Sequence, residues 1–227
     1  MPPIFRPLIL LLALLAAAPR PGVAADDLGG NSGNYPPAYF ATIREAMRAF
    51  GARDFEAAIK LVEKADLAFQ VTPVSLNIRG AIAIEQQKYD EGRAFCLKAL
   101  ATDANFFPAR FNLCEIPFVQ GKYGEARALL QKLQETFPQE DLLKFRIFLT
   151  YLLEKNEDGA RQLRDHVPFL SSSPIYYYTQ AAWEFAHDNA AAAKTWLDRG
   201  HDVFPPSKHV NYVEVFYDLG WVERPGI

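Results

Sequence analysis

Three stretches of the chain fall into register when it is slid along itself by 34 residues. They are "GARDFEAAIKLVEKA" (Gly51 to Ala65), "QQKYDEGRAFCLKAL" (Gln86 to Leu100) and "QGKYGEARALLQKLQ" (Gln120 to Gln134). Phe55, Tyr89 and Tyr123 are spaced by 34, and so are Ala58, Gly92, Ala126 and Ala160. The step continues into "NEDGARQLRD". With one residue dropped from its turn it reaches a fifth unit, in which Ala193 takes the small position and Pro205 closes the unit as Pro138 closes the third. A short unit of this kind cannot bury its own apolar face. A chain built from such units must therefore stack them, each covering the next.

Helix chemistry fits that stack. Thr72-Pro73 and Ser173-Pro174 read as an N-cap followed by proline at the first helical position. Small residues at Ala46, Gly80, Ala58, Ala126 and Ala182 let two helices approach closely. The 34-residue period, with its aromatic, its small residues and its closing proline, resembles the tetratricopeptide repeat (TPR) family. The resemblance covers about four-fifths of the chain. It implies an all-α, right-handed α-solenoid of about five TPR helix pairs, with units starting near Tyr39 or Phe40, Pro73, Phe107, Asp141 and Ile175. Thr42, Lys144 and Arg110 depart from the family pattern, which has a large residue early in the first helix. After Pro205-Pro206, Ser207 to Leu219 predicts an eleventh helix that caps the stack, with Gly220 as a left-handed stop and Pro225 preventing continuation.

The first residues read differently. Arg6 precedes an unbroken apolar run, Leu8 to Ala18, followed by "PRPGVAADD". A short positive region, an apolar run of that length and small residues before a cut predict a signal peptide over 1–25, cleaved after Ala25 or Ala24. The run is short for a membrane span, which needs roughly 20 residues, so no stable anchor is expected after cleavage. Export is the expectation: periplasmic if the source is a diderm bacterium, otherwise secreted. Residues 26–37, rich in Gly, Asn and Pro, form a lead-in; the solenoid occupies 38–206 and the cap and tail 207–227. Cleavage leaves 22 basic against 27 acidic residues, a balance of −5 compared with −3 for the whole chain. That charge gives no reason to expect nucleic acid as a partner.

From Phe145 to Leu153 only Arg146 and Thr150 are polar. A helix through this stretch is apolar on nearly every side, so both faces need covering. In the family that the repeat resembles, first helices pack inward with one stripe and line a concave groove with another. Projected onto this chain, the groove takes Phe40, Ile43, Met47 and Phe50 from the first unit and Asn77, Ala81 and Ile84 from the second. The third gives Phe111, Glu115 and Phe118, the fourth Phe145, Leu149 and Leu152, and the fifth Thr179, Trp183 and His187. An apolar stripe of this size calls for a cover. Three occupants fit: an apolar or amphipathic client segment, a second copy of the chain, or its own termini. Neighbouring helices burying both stripes would serve equally. The carboxylate clamp of some family members is not expected, because Ile43 and Met47 stand where it would begin. Pro117 falls inside the first helix of the third unit, where it removes a backbone bond and predicts a kink.

Catalytic patterns are missing. There is no phosphate loop, no HExxH spacing among His166, His187, His201 and His209, and no GxSxG. No cofactor or metal is expected. Cys96 and Cys114 fall on helices expected to touch, so they could be bonded, or stand as two buried thiols behaving as small apolar residues. The function that follows is a non-catalytic protein–protein interaction module of the cell envelope, an adaptor, scaffold or chaperone-like protein with a protein or peptide client. A self-associating structural component, a homo-oligomer, is the alternative, and an enzyme with an unrecognised site is the third reading.

Overall fold

A computed structural model describes residues 35–224; the expected signal peptide and most of the lead-in lie outside the described residues. Among the described residues all regular structure is helical, and eleven α-helices follow one another with neighbouring pairs packed in succession. Contacts divide the chain into two compact units, with the boundary between Ile116 and Pro117.

The N-terminal unit holds α1 (Pro37–Gly51), α2 (Phe55–Ala68), α3 (Pro73–Glu85), α4 (Tyr89–Thr102) and the start of α5 (Phe107–Val119). α1 packs on α2 and α3 on α4. The second pair starts from a reciprocal capping box: Thr72 Oγ1 accepts from the Ser75 backbone N–H at 3.1 Å, and Ser75 Oγ accepts from that of Thr72 at 2.9 Å. Tyr39 on α1 hydrogen-bonds Thr72, tying the pairs together. Close approach of α3 and α4 depends on two glycines. A Cβ on Gly92 would collide with Ile84 Cγ1 and lie 3.1 Å from the Gly80 carbonyl oxygen, and one on Gly80 would stand 3.0 Å from Cys96 Sγ. α3 consequently buries every residue from Pro73 to Glu85 except Arg79, which pairs with Asp66 at 2.8 Å.

The C-terminal unit continues with the end of α5, then α6 (Tyr123–Thr136), α7 (Asp141–Leu153), α8 (Glu157–His166), α9 (Ile175–Ala186), α10 (Ala190–Val203) and α11 (Val210–Asp218). α7 touches α6, α8 and α9, and this is why its apolar character can extend round the helix. Asp141 opens α7. Its carboxylate accepts from Lys144 at 2.7 Å, Ser171 at 3.0 Å and Ser173 at 2.6 Å. Burial pushes its pKa up, but those donors more than offset the burial and hold it below the usual carboxylate range. Ser173 is thus spent on Asp141, and Pro174 occupies the N-cap position of α9, where the sequence predicted serine. The capping helix also differs from expectation. Pro206–Lys208 forms a 3-10 turn, and α11 begins only after His209. α5 runs through Pro117 as one helix.

The turns inside the pairs repeat every 34 residues, with 33 at the last step. Arg53, Gln87, Gly121, Lys155 and Asp188 all have positive φ, between 58° and 73°. The residue after each sends its N–H five residues back, for example Asp54 to the Ala49 carbonyl and Asn156 to that of Tyr151. These are Schellman closures, which satisfy the carbonyls that a helix end leaves open. Only Gly121 holds that conformation without the strain of a Cβ.

Candidate functional site

The stripe projected for the groove is buried in both units. Of the fourteen apolar and polar positions from Phe40 to Leu152 and Trp183, only Phe40 and Trp183 are half-buried, and every other one is buried. The expectation of an open trough gives way to a closed one, and several side chains show why.

In the N-terminal unit Ile43 and Met47 are inaccessible, and the Phe50 ring sits 5.7 Å from Phe55 across the α1–α2 turn. Ile84 points at Gly92 and so belongs to the interior of its own pair. Ala81 is fully buried, as are Phe111 and Glu115, with Phe111 5.9 Å from Phe107. Asn77 accepts from Asn112 Nδ2 at 2.9 Å, and Asn112 Oδ1 is buried with no hydrogen-bond partner among the described residues.

In the C-terminal unit Phe118 meets the Tyr123 ring edge-on at 5.6 Å, with the Arg146 guanidinium 5.2 Å from its centroid. Leu149 and Leu152 are buried, as is Thr179. Phe145 sits among rings: Phe148 on its own helix, Tyr178 on α9, and Tyr212 and Phe216 on α11. Its cover on that side is α11, the helix that the sequence predicted as a cap. Trp183 turns toward α8. It lies between His187, stacked at 4.3 Å, and the guanidinium of Arg164 at 4.2 Å, while His187 Nε2 is 3.2 Å from Glu157.

Two reasons operate. α1 is amphipathic, and Ile43, Met47 and Phe50 belong to its one buried face. α7 is apolar on nearly all sides, has no preferred outward face, and is packed all round. Sequence reasoning gave no site role to Asn112, Arg146 and Thr150, three buried polar side chains on first helices. The signal was present: Asn77, Asn112 and Arg146 follow one another at 35 and 34 residues, close to the repeat step.

Cys96 and Cys114 are free and buried, so the bond considered from sequence is not formed. Burial pushes both thiols up to about 12, which keeps them protonated and unreactive near neutrality. Among the described residues no group of three or more His, Cys, Asp or Glu could hold a metal ion. No helix there is long and apolar enough to cross a membrane. The hydroxyls of Thr72, Ser75 and Thr150 are engaged in caps or with backbone carbonyls, an arrangement that builds helices.

No curated protein matches the chain. A family model described as tetratricopeptide repeat matches residues 83–146. That match, with the helix pairs packed in succession, supports a tetratricopeptide repeat protein, a class whose repeats generally mediate protein–protein contact and are typically non-catalytic.

Proposed function

We propose that the chain is an exported, non-catalytic adaptor or chaperone-like module of the cell envelope that binds an apolar or amphipathic segment along its first helices. The observation that carries this reading is the tetratricopeptide match over residues 83–146, beside first helices whose side chains are large and apolar well beyond what one packing stripe requires. Helix-in-groove recognition is the natural mode for such a surface. Because the stripe is closed, a client must displace what covers it, and binding is coupled to opening. The leader pattern of Arg6, Leu8 to Ala18 and Ala25 supports export.

A photo-crosslinking amino acid placed at Phe40, the half-buried member of the stripe on α1, tests the partner reading in living cells. An adduct with one recurring second protein is the expected result. Adducts with the chain itself alone would favour the self-associating structural component, and no adduct would contradict both. N-terminal sequencing of the mature protein tests export, with Asp26 expected as the first residue.

A further inference from the structure

α11 seats three aromatic side chains on the C-terminal unit. The Tyr212 ring lies 5.2 Å from Phe145 and 5.3 Å from Tyr178. Phe216 lies 5.5 Å from Tyr178 and 5.6 Å from Phe185, and Trp221, just beyond the helix, stacks on Phe185 at 5.5 Å. With nine residues, α11 is shorter than the roughly 12–15 that make an isolated helix even marginal in water. Its order depends on this seat and on how its N-terminus is held.

His209 holds that end. It is the residue before α11 and is buried. Its Nε2 lies 3.0 Å from the Phe204 carbonyl oxygen, which can only accept, so Nε2 carries the hydrogen. Nδ1 of the neutral ring then accepts from the Tyr178 hydroxyl at 3.2 Å. A proton on Nδ1 would force that hydroxyl to turn. Tyr178 is fully buried, and its hydroxyl has no other hydrogen-bond partner among the described residues. Burying a donor without an acceptor costs about 1–3 kcal/mol.

On balance the surroundings of His209 favour its neutral form. From α10 comes His201, ring to ring at 4.4 Å. From α9 comes Tyr178, and from α11 come Glu214 and Tyr217, which share a cleft with His201, Phe204 and His209. The Glu214 carboxylate is already engaged by Arg224 at 2.7 Å. A cation at a helix N-terminus also opposes the helix dipole. Burial, with His201 beside it, holds the His209 imidazole below its usual range, although the Phe204 carbonyl pulls the other way.

We propose that α11 is a proton-released cover: protonation of His209 beside His201 unseats the helix and exposes Phe145, Tyr178 and Phe185. The device operates within the chain alone, whatever the exposed rings then meet. Its sign follows from linkage. A histidine whose folded pKa lies below the usual value near 6.5 adds stability above that pH and loses it as the pH falls.

Hydrogen exchange of the full mature chain, followed by mass spectrometry and corrected for intrinsic rates, tests this between pH 7.5 and 5.0. Protection of α11 is expected to fall at least tenfold over that range while α1 to α4 keep theirs. His209→Gln donates and accepts without titrating, so its α11 protection should be flat with pH. His201→Gln removes the neighbouring imidazole and should show a smaller loss than the wild type. Unchanged protection in the wild type, or a loss shared equally by every helix, overturns the proposal. So does an undiminished loss in His209→Gln. If His209→Gln fails to seat α11 at pH 7.5, His201→Gln decides, and a loss equal to the wild type's overturns it.

Discussion

α3 and α4 are near equals in length and make one pair, yet they are built to opposite rules. α3 is buried along its whole length apart from Arg79, whereas α4 buries only Gly92, Cys96 and Ala99. The same contrast holds in the C-terminal unit, where α7 buries nine of its thirteen residues and α8 only Ala160. In these two pairs the first helix is core, whereas α1, at the start of the stack, buries only five of its fifteen residues. The second helix is an outer layer that rests on one stripe of small residues. Stability should therefore be concentrated on the first helices, and contact along the second should be decided by the size of a few small side chains.

The largest effect should come from emptying a first helix. Phe145→Ala removes a fully buried ring from a cluster of four others and should cost about 3–5 kcal/mol in urea unfolding. Leu97→Ala on α4, where the side chain is 53% exposed, should stay within about 0.5 kcal/mol of wild type. Similar costs at the two sites would break the contrast.

The next effect probes how close the layers lie. Gly92→Ala places a methyl group against Ile84 and beside the Gly80 carbonyl. Overpacking should cost about 1–3 kcal/mol, partly offset by the better helix propensity of alanine, worth about 1 kcal/mol. Combining it with Ile84→Ala should cost less than the two single changes added together, because the collision is with Ile84 Cγ1, which alanine lacks. A simple sum of the two single costs would show that the pair is looser than the structure has it.

The smallest expected effect lies in the turns. Gly121 sits comfortably at positive φ, whereas Lys155 holds the equivalent place with φ of 60° and a Cβ. Lys155→Gly should raise the unfolding free energy by up to about 1 kcal/mol, since the relief of a left-handed residue of roughly 1–2 kcal/mol is partly offset by backbone entropy. Gly121→Ala should move it the other way.

Much of this plan was legible in the residues. The 34-residue step placed the starts of α3, α5, α7 and α9 at Pro73, Phe107, Asp141 and Ile175, where the structure has them. The recurring aromatics Phe55, Tyr89 and Tyr123 each open a second helix. The candidate stripe was not legible in the same way. α2, α6 and α8 declare their buried face through amphipathicity. α3 and α7 carry apolar residues on nearly every side, so periodicity cannot say which residue looks outward, and Ile84 and Phe145 were assigned to a groove they do not face openly. The positive-φ turns were hidden because four of the five use residues other than glycine. Ser173 failed as a cap for a tertiary reason: Asp141, 32 residues away, takes its hydroxyl.

Single cysteines introduced along α3 and α4, one at a time in a Cys96→Ala, Cys114→Ala background, test the division of labour most directly. The readout is the rate of thiol labelling in the folded protein relative to the rate in urea. Slow labelling is expected throughout α3 except at position 79. Along α4, with Gly92 left in place because any Cβ there collides with Ile84, labelling should be rapid, with slow reaction at the buried positions 96 and 99. Rapid labelling at 77, 81 and 84 would show those positions open to solvent and would contradict the closed first-helix core.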